Sequence, residues 1–163
     1  MKFNNGEDYY NKIYLHFNFL IAISLLPFGY LLLQQQAGLM MVLVPDQWYI
    51  MVVVSLMLAA AGLIFQSHKV FISFLKTDMT ADSLREKLVS YKTASQKKNL
   101  SFLLASLICV CGFYLTTSGI FVVGYIVSII LLSIKRPTLN TIIEDLKLSE
   151  DEQNILIEKK DIA

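Results

Sequence analysis

The sequence predicts an all-α integral membrane protein: a four-helix bundle with a helical cytoplasmic loop and amphipathic helices at its C-terminal end. Three observations support this fold class. Of the 163 residues, 55% are hydrophobic and 17% are charged, against about 25% charged in an average globular chain, and the mean hydropathy is +0.56. Three long segments contain no charged residue. The Lys and Arg residues all lie outside those segments: before the first, between the second and the third, and after the third.

The first two predicted spans are uninterrupted apolar segments. A spanning helix needs about 20 mostly apolar residues, and residues 13–33 carry no formal charge over 21 positions. Thirteen of them are Leu, Ile or Phe, each of which favours insertion by about 0.3–0.6 kcal/mol. This outweighs the cost of His16 and Asn18 near one end. Residues 48–65 form a second charge-free segment of 18 positions, and Asp46 precedes it as a candidate helix N-cap.

The third apolar segment is too long for one crossing. Residues 99–134 contain no charge in 36 positions, and a group of turn-forming residues, 116–119, interrupts them. This pattern predicts a tight helical hairpin with spans at 100–115 and 120–134. Because each arm is short for a full crossing, a re-entrant hairpin stays open as an alternative. Either arrangement leaves both chain ends on the same side of the membrane.

The basic residues predict the orientation of the spans. Of the 14 Lys and Arg residues, two precede the first span, seven lie in the loop 66–99 and five follow the fourth span. The connections 34–47 and 116–119 carry none. Because cytoplasmic segments next to spans are enriched in Lys and Arg, we expect both termini and the loop 66–99 in the cytoplasm. The protein would then lie in the cell membrane, or the inner membrane of a bacterium.

The loop 66–99 is expected to be helical. The second span can continue past residue 65 along an apolar stripe of Val70, Phe71, Phe74 and Leu75. A new helix then opens at Asp78 or Thr80 and runs directly into the third span. Its apolar face carries Leu84, Leu88 and Tyr91 at helical spacing. This loop is either a docking surface or a plain solvated extension of the spans.

The chain divides into a transmembrane domain, 1–134, and a cytoplasmic helical tail, 135–163. Thr138 is the candidate N-cap of a first short helix in the tail. Ser149 and Glu152 have the spacing of a capping box, which opens a second short helix. Amphipathic helices this short do not bury their apolar faces alone. They are expected to pack on each other, on the loop 66–99, on lipid headgroups or on another protein.

No catalytic, cofactor-binding or metal site is predicted. The spans contain no Asp, Glu, Lys or Arg, which disfavours ion-coupled transport built on a buried carboxylate. His16 and His68 lie at the same end of their helices, but two imidazoles rarely complete a metal site. With Lys69, they are the only interfacial residues available to a lipid-modifying enzyme. Cys109 and Cys111 point in nearly opposite directions on a helix, which excludes a disulfide.

Small residues recur at helical spacing within the spans. Close approach of backbones, rather than the hydrophobic effect, holds helices together in lipid, so these faces are predicted to be the internal seams of the bundle. They are Ser55, Ala59 and Gly62 on span two, Ala105, Cys109, Gly112 and Thr116 on span three, and Gly124 and Ser128 on span four.

These patterns predict a non-enzymatic accessory or scaffold subunit that docks a partner through its cytoplasmic loop and tail. The expected partners are membrane lipids and a protein on the cytoplasmic side, or a second copy of the chain. The net charge of +1 offers no electrostatic basis for binding nucleic acid. The alternative is a small-solute transporter or pore, which four short helices form only as a homo-oligomer. Its path would follow Asn18, Ser24, Ser55 and Ser128.

Overall fold

The protein is all-helical throughout the part of the chain that the structure, a computed structural model, describes. That part comprises residues 3, 5–78, 83–134 and 136–158, with the backbone alone over 74–78. It contains no strand, which confirms the predicted all-α class. The six helices are α1 (Gly6–Gln36), α2 (Asp46–Asp78), α3 (Leu84–Thr116), α4 (Gly119–Ile134), α5 (Leu139–Leu146) and α6 (Glu150–Ile157).

Three of these helices extend well beyond the predicted spans. At 1.5 Å per residue, the 31 residues of α1 and the 33 residues of α2 and α3 give lengths of about 46–50 Å. The hydrocarbon core of a bilayer is about 30 Å thick. Each helix is therefore long enough to cross a membrane and to project some 15–20 Å out of it. The predicted continuations of span two past residue 65, and of the loop helix into span three, are confirmed.

The described residues contain three helices that are long and apolar enough to cross a membrane individually: α1, α2 and α3. The fourth apolar helix, α4, has 16 residues. It passes the same test only together with α5, which follows it at an angle of 74°. The chain therefore has three or four candidate spans.

Helix α3 is the centre of the packing, because α2, α4 and α1 all pack against it. The helices do not contribute equally to the interior. Within an apolar stretch of 18 residues in each helix, 56% of the stretch is buried in α3, against 28% in α1 and 6% in α2. Most of the surface of α2 consequently faces outward.

At one end of the helices, here called the loop end, the connection after α1 lies against the turn between α3 and α4. The Leu43 amide donates to the Leu115 carbonyl at 2.9 Å. Thr117 closes α3 with a left-handed backbone, φ 52°, and its amide donates to the Phe113 carbonyl at 2.8 Å. The turn is therefore tighter than the predicted 116–119, because Thr116 and Gly119 belong to the helices.

The opposite end carries a second hydrophobic core. The start of α1, the end of α2, the start of α3 and the segment 136–158 pack together there, and we call this unit the cap. Its core residues are Phe3, Tyr9, Ile13, Phe71, Leu88, Tyr91, Ala94, Ile142, Leu146, Leu148 and Leu156. Of the four packing partners expected for the tail, the structure therefore shows two, the tail helices themselves and the loop 66–99, together with the start of α1.

Two contacts fix the termini of the described chain within the cap. The Tyr9 hydroxyl donates to the Leu88 carbonyl at 2.7 Å and joins α1 to α3. A Cβ at Gly6 would lie 2.8 Å from the Leu156 carbonyl oxygen, so the absence of a side chain allows α6 to cross α1 closely. The first and last helices therefore lie at the same end of the molecule.

The predicted starts of the helices are partly correct. Thr138 caps α5, and Ser149 and Glu152 form the capping box of α6. Ser83, not Asp78 or Thr80, caps α3, because its hydroxyl accepts from the Glu86 amide at 3.2 Å. Asp78 ends α2, and Thr80 lies outside the described residues.

Candidate functional site

The small residues predicted to form internal seams do so on α3 and α4. Ala105, Cys109 and Thr116 are buried, as is Gly112, which lies directly against the Phe121 ring. A Cβ at Gly124 would lie 3.2 Å from the Met57 methyl group and 3.3 Å from the sulfur of Cys109 on α3. These contacts confirm the predicted seam between α3 and α4.

The predicted seam on α2 is wrong. Ser55, Ala59 and Gly62 are all exposed, and no atom lies within 4 Å of a Cβ placed on Gly62. The face of α2 that packs against α3 is rotated by one position, so that Ala60 is buried instead. Small residues occur on both sides of this helix, and spacing alone did not identify the side that faces α3.

The polar residues of the predicted solute path do not come together. Ser24 is buried and its hydroxyl lies 3.3 Å from the Tyr125 hydroxyl. Ser128 is also buried and donates to the Gly124 carbonyl of its own helix at 2.8 Å. Asn18 and Ser55, in contrast, are exposed on the outside of α1 and α2. A single chain therefore does not gather these four groups around a path.

The two cysteines differ in burial, and neither histidine is buried. Both cysteines are free thiols, with Cys109 buried and Cys111 exposed, which confirms that they face different sides of α3. His16 is half-buried on α1, and His68 is exposed on α2. Within the described parts of the chain, no group of three or more His, Cys, Asp or Glu residues is arranged to hold a metal ion.

A cavity of about 180 Å³ lies where the cap meets the apolar helices, and we call it the cap-end cavity. Three helices each contribute one face to it, because the lining residues on each helix lie within about one turn of one another. They are His68, Phe71 and Ile72 from α2, Lys98 and Phe102 from α3, and Thr141 and Asp145 from α5. The cavity is therefore lined by one cationic side chain, one anionic side chain and two phenyl rings.

The polar groups of the cap-end cavity are held in place by their neighbours. Lys98 is only 4% exposed, and its ammonium lies 4.1 Å from the centroid of the Phe71 ring, a cation–π contact. The Tyr91 hydroxyl donates to Asp145 Oδ2 at 3.1 Å. Burial and the negative charge of Asp145 raise the pKa of Tyr91, so this phenol keeps the proton that it donates.

The sequence contained a signal for this cavity. Lys98 is the last charged residue before the charge-free segment 99–134. Asp145 and Thr141 lie four positions apart on the tail helix, and a pair with this spacing faces the same way. Finding the site required knowing that α5 folds back onto α2 and α3, and no local pattern carries that information.

The outer surface of the cap has an open depression of about 310 Å³, lined by Arg85, Glu86, Val89 and Ser90 of α3. On the inner side of the same helix, the Lys87 ammonium contacts Glu152 Oε1 of α6 at 2.8 Å. Burial opposes ionisation of Glu152, but hydrogen bonds from Lys87 and from the Ser149 amide outweigh it and lower the pKa of this carboxyl. The cap thus places the Lys87–Glu152 pair between α3 and α6 and leaves Glu86 and Val89 of α3 exposed.

A second cavity, of about 310 Å³, lies at the loop end. Tyr30, Leu31 and Gln34 of α1 form one wall, with Tyr114 of α3 and the loop residues Leu39, Met40, Met41 and Leu43. Gln34 donates to the Tyr30 hydroxyl at 2.8 Å. This cavity has no ionised side chain in its lining.

Comparison of the chain with known protein families, with curated protein sequences and with solved structures gave no match.

Proposed function

We propose that this chain is a non-enzymatic accessory or scaffold subunit of a membrane assembly, with both termini and the cap in the cytoplasm, and that it docks a protein partner through the cap. The observation that carries the proposal is the second hydrophobic core. Helices α5 and α6 and the start of α3 fold into one unit outside the most apolar segments. The distribution of all 14 basic residues supports the cytoplasmic side.

The cap limits which residues are available to a partner. The apolar face of the loop helix, with Leu88 and Tyr91, is buried inside the cap. A partner would therefore bind the opposite face of α3, at the part of the depression formed by Glu86, Val89 and Ser90. Val89 is 45% exposed, and an exposed apolar group within a polar rim is typical of protein interfaces.

Photo-crosslinking at single positions tests this docking surface in the full chain. A photoreactive residue at Val89 is expected to give one discrete crosslinked protein in cells. The double variant Glu86→Lys, Val89→Glu, at two exposed positions, is expected to reduce co-purification of that same protein at least about tenfold, since an interface anchor contributes about 2 kcal/mol or more. A photoreactive residue at Met41, which is 80% exposed in the loop-end connection, is the matched control.

Two results would count against docking at the cap. One is the same crosslinked product from positions 89 and 41. The other is unchanged co-purification of the crosslinked protein with the double variant. A deletion of the tail is a poorer test, because removing α5 and α6 uncovers Leu88 and Tyr91 and damages the cap itself.

The exposed surface of α2 supports one alternative, a homo-oligomeric transporter or pore. Only 6% of the apolar stretch of this helix is buried within one chain, which leaves a wide face for other copies. Residues such as Ser55 would line a path between copies, since Ser24 and Ser128 are buried. Solute flux in liposomes that contain only this protein would favour the alternative, and a strictly monomeric state in mild detergent would exclude it.

A further inference from the structure

The cap-end cavity lies at the level of the membrane surface in the proposed placement. Lys98 directly precedes the charge-free segment 99–134, and His68 follows the charge-free segment 48–65 by three positions. Lipid headgroups occupy a layer of about 5–8 Å on each side of the hydrocarbon core. A cavity at the ends of two apolar segments is therefore within reach of a headgroup.

The charges in the cavity favour a zwitterion. A ligand with only negative charge would meet the carboxylate of Asp145, and a ligand with only positive charge would meet the ammonium of Lys98. A ligand with one charge of each sign can place each beside the opposite group. The phosphate would lie by Lys98, whose position is fixed against the Phe71 ring. The cationic group would lie by Asp145, whose carboxylate is oriented by Tyr91.

The groups that line the cavity suit a primary ammonium better than a quaternary one. A primary ammonium has three N–H donors for a carboxylate, whereas a choline group has none and is typically bound among aromatic rings. Phe71 already has the ammonium of Lys98 over its ring. The ligand's cation would therefore bind the carboxylate of Asp145, a hydrogen-bond acceptor, rather than a cage of aromatic rings.

The size of the cavity suits a compact headgroup. Its volume of about 180 Å³ equals that of roughly six water molecules, at about 30 Å³ each in the liquid. Ile72 is 40% exposed at its edge, and Phe71 and Phe102 form apolar walls. These side chains offer an apolar surface to the part of a lipid next to its headgroup.

We propose that the cap-end cavity binds the headgroup of an ethanolamine phospholipid, with Lys98 and Thr141 at the phosphate and Asp145 at the ammonium. The inference rests on the membrane placement in the proposed function and is independent of any protein partner. Loss of the crosslink at Val89 would therefore leave it unaffected.

Native mass spectrometry of the full-length protein in detergent tests the site. Delipidated protein is mixed with phosphatidylethanolamine, phosphatidylcholine or phosphatidylglycerol of identical acyl chains, and with soluble glycerophosphoethanolamine. Retention of phosphatidylethanolamine is expected to exceed that of the other two lipids roughly tenfold, the effect of one hydrogen bond to a charged group. The soluble compound is expected to bind much more weakly, because it lacks the acyl chains.

Matched variants assign the preference to the cavity. Asp145→Asn is expected to abolish the preference for ethanolamine over choline, while Glu144→Gln, on an exposed neighbour, leaves it unchanged. Lys98→Met is expected to lower the retention of all three lipids, and Lys97→Met, again on an exposed neighbour, is its control. If Lys98→Met does not fold, Asp145→Asn and Thr141→Val decide the question.

Several results would overturn the proposal. Equal retention of the three lipids, or a preference for phosphatidylglycerol, would exclude a zwitterion site. An ethanolamine preference that survives Asp145→Asn would place the selectivity elsewhere. Binding of glycerophosphoethanolamine as tight as that of the lipid would assign the cavity to a free phosphate ester rather than to a membrane lipid.

Discussion

Replacing Leu88 by alanine is expected to destabilise the cap by about 2–5 kcal/mol, the usual cost of removing a fully buried leucine side chain. Leu88 is 0% exposed in the core that joins α1, α3, α5 and α6. Its backbone carbonyl also accepts a hydrogen bond from the Tyr9 hydroxyl. Hydrogen exchange of the full-length protein in detergent is expected to rise over residues 136–158, because these segments lose the surface on which they pack.

Val89→Ala is the matched control for this prediction. Val89 is the next residue on the same helix but is 45% exposed, so its truncation is expected to change stability by no more than about 0.5 kcal/mol. If Leu88→Ala left the exchange of the tail at the level of Val89→Ala, α5 and α6 would not be packed on α3 in the way described.

Placing a methyl group at Gly112 is expected to lower the stability of the apolar helices by about 1–3 kcal/mol, the typical cost of overpacking. The added Cβ would overlap the ring of Phe121. That ring is 0% exposed and is packed in the core between the apolar helices. Gly112→Ala is therefore expected to lower the Tm in detergent, although alanine favours a helix over glycine by about 0.5–1 kcal/mol.

Gly62→Ala adds the same methyl group but is not expected to lower the Tm. No atom lies within 4 Å of the added Cβ, so only the gain in helix propensity remains and the Tm is expected to stay level or rise. A Tm that falls equally in both variants would mean that α3 and α4 do not approach each other at Gly112. A fall at Gly62 alone would mean that its exposed face of α2 is covered by another helix.

The sequence predicted the features that depend on local patterns. Hydropathy and the absence of charge located the apolar segments, and side-chain chemistry identified Thr138 and Ser149 as helix caps. These features could be found because propensity and capping act over a few neighbouring residues. Helix α1 begins at Gly6, seven residues before the predicted span 13–33, because Asn5 caps it there.

Two features that depend on tertiary packing were not predicted, although the seam between α3 and α4 was. The spacing of Ser55, Ala59 and Gly62 defines a helix face but not the direction in which it points. Only the position of α3 determines that Ala60 is buried instead. The same reason applies to the cap-end cavity, where Lys98 and Asp145 are 47 positions apart in the sequence and share a lining only because α5 folds back.

The central claim is that the cap lies on the cytoplasmic face of a membrane and the loop end on the other. Cysteine labelling of the full chain in intact cells tests it most directly, in a background without Cys109 and Cys111. Single cysteines at Gln36 and Ser118 are expected to react with a membrane-impermeant maleimide, and those at Thr93 and Asn154 to react only after permeabilisation. Labelling of the cysteine at position 93 or 154 in intact cells, with protection of those at positions 36 and 118, would contradict the account.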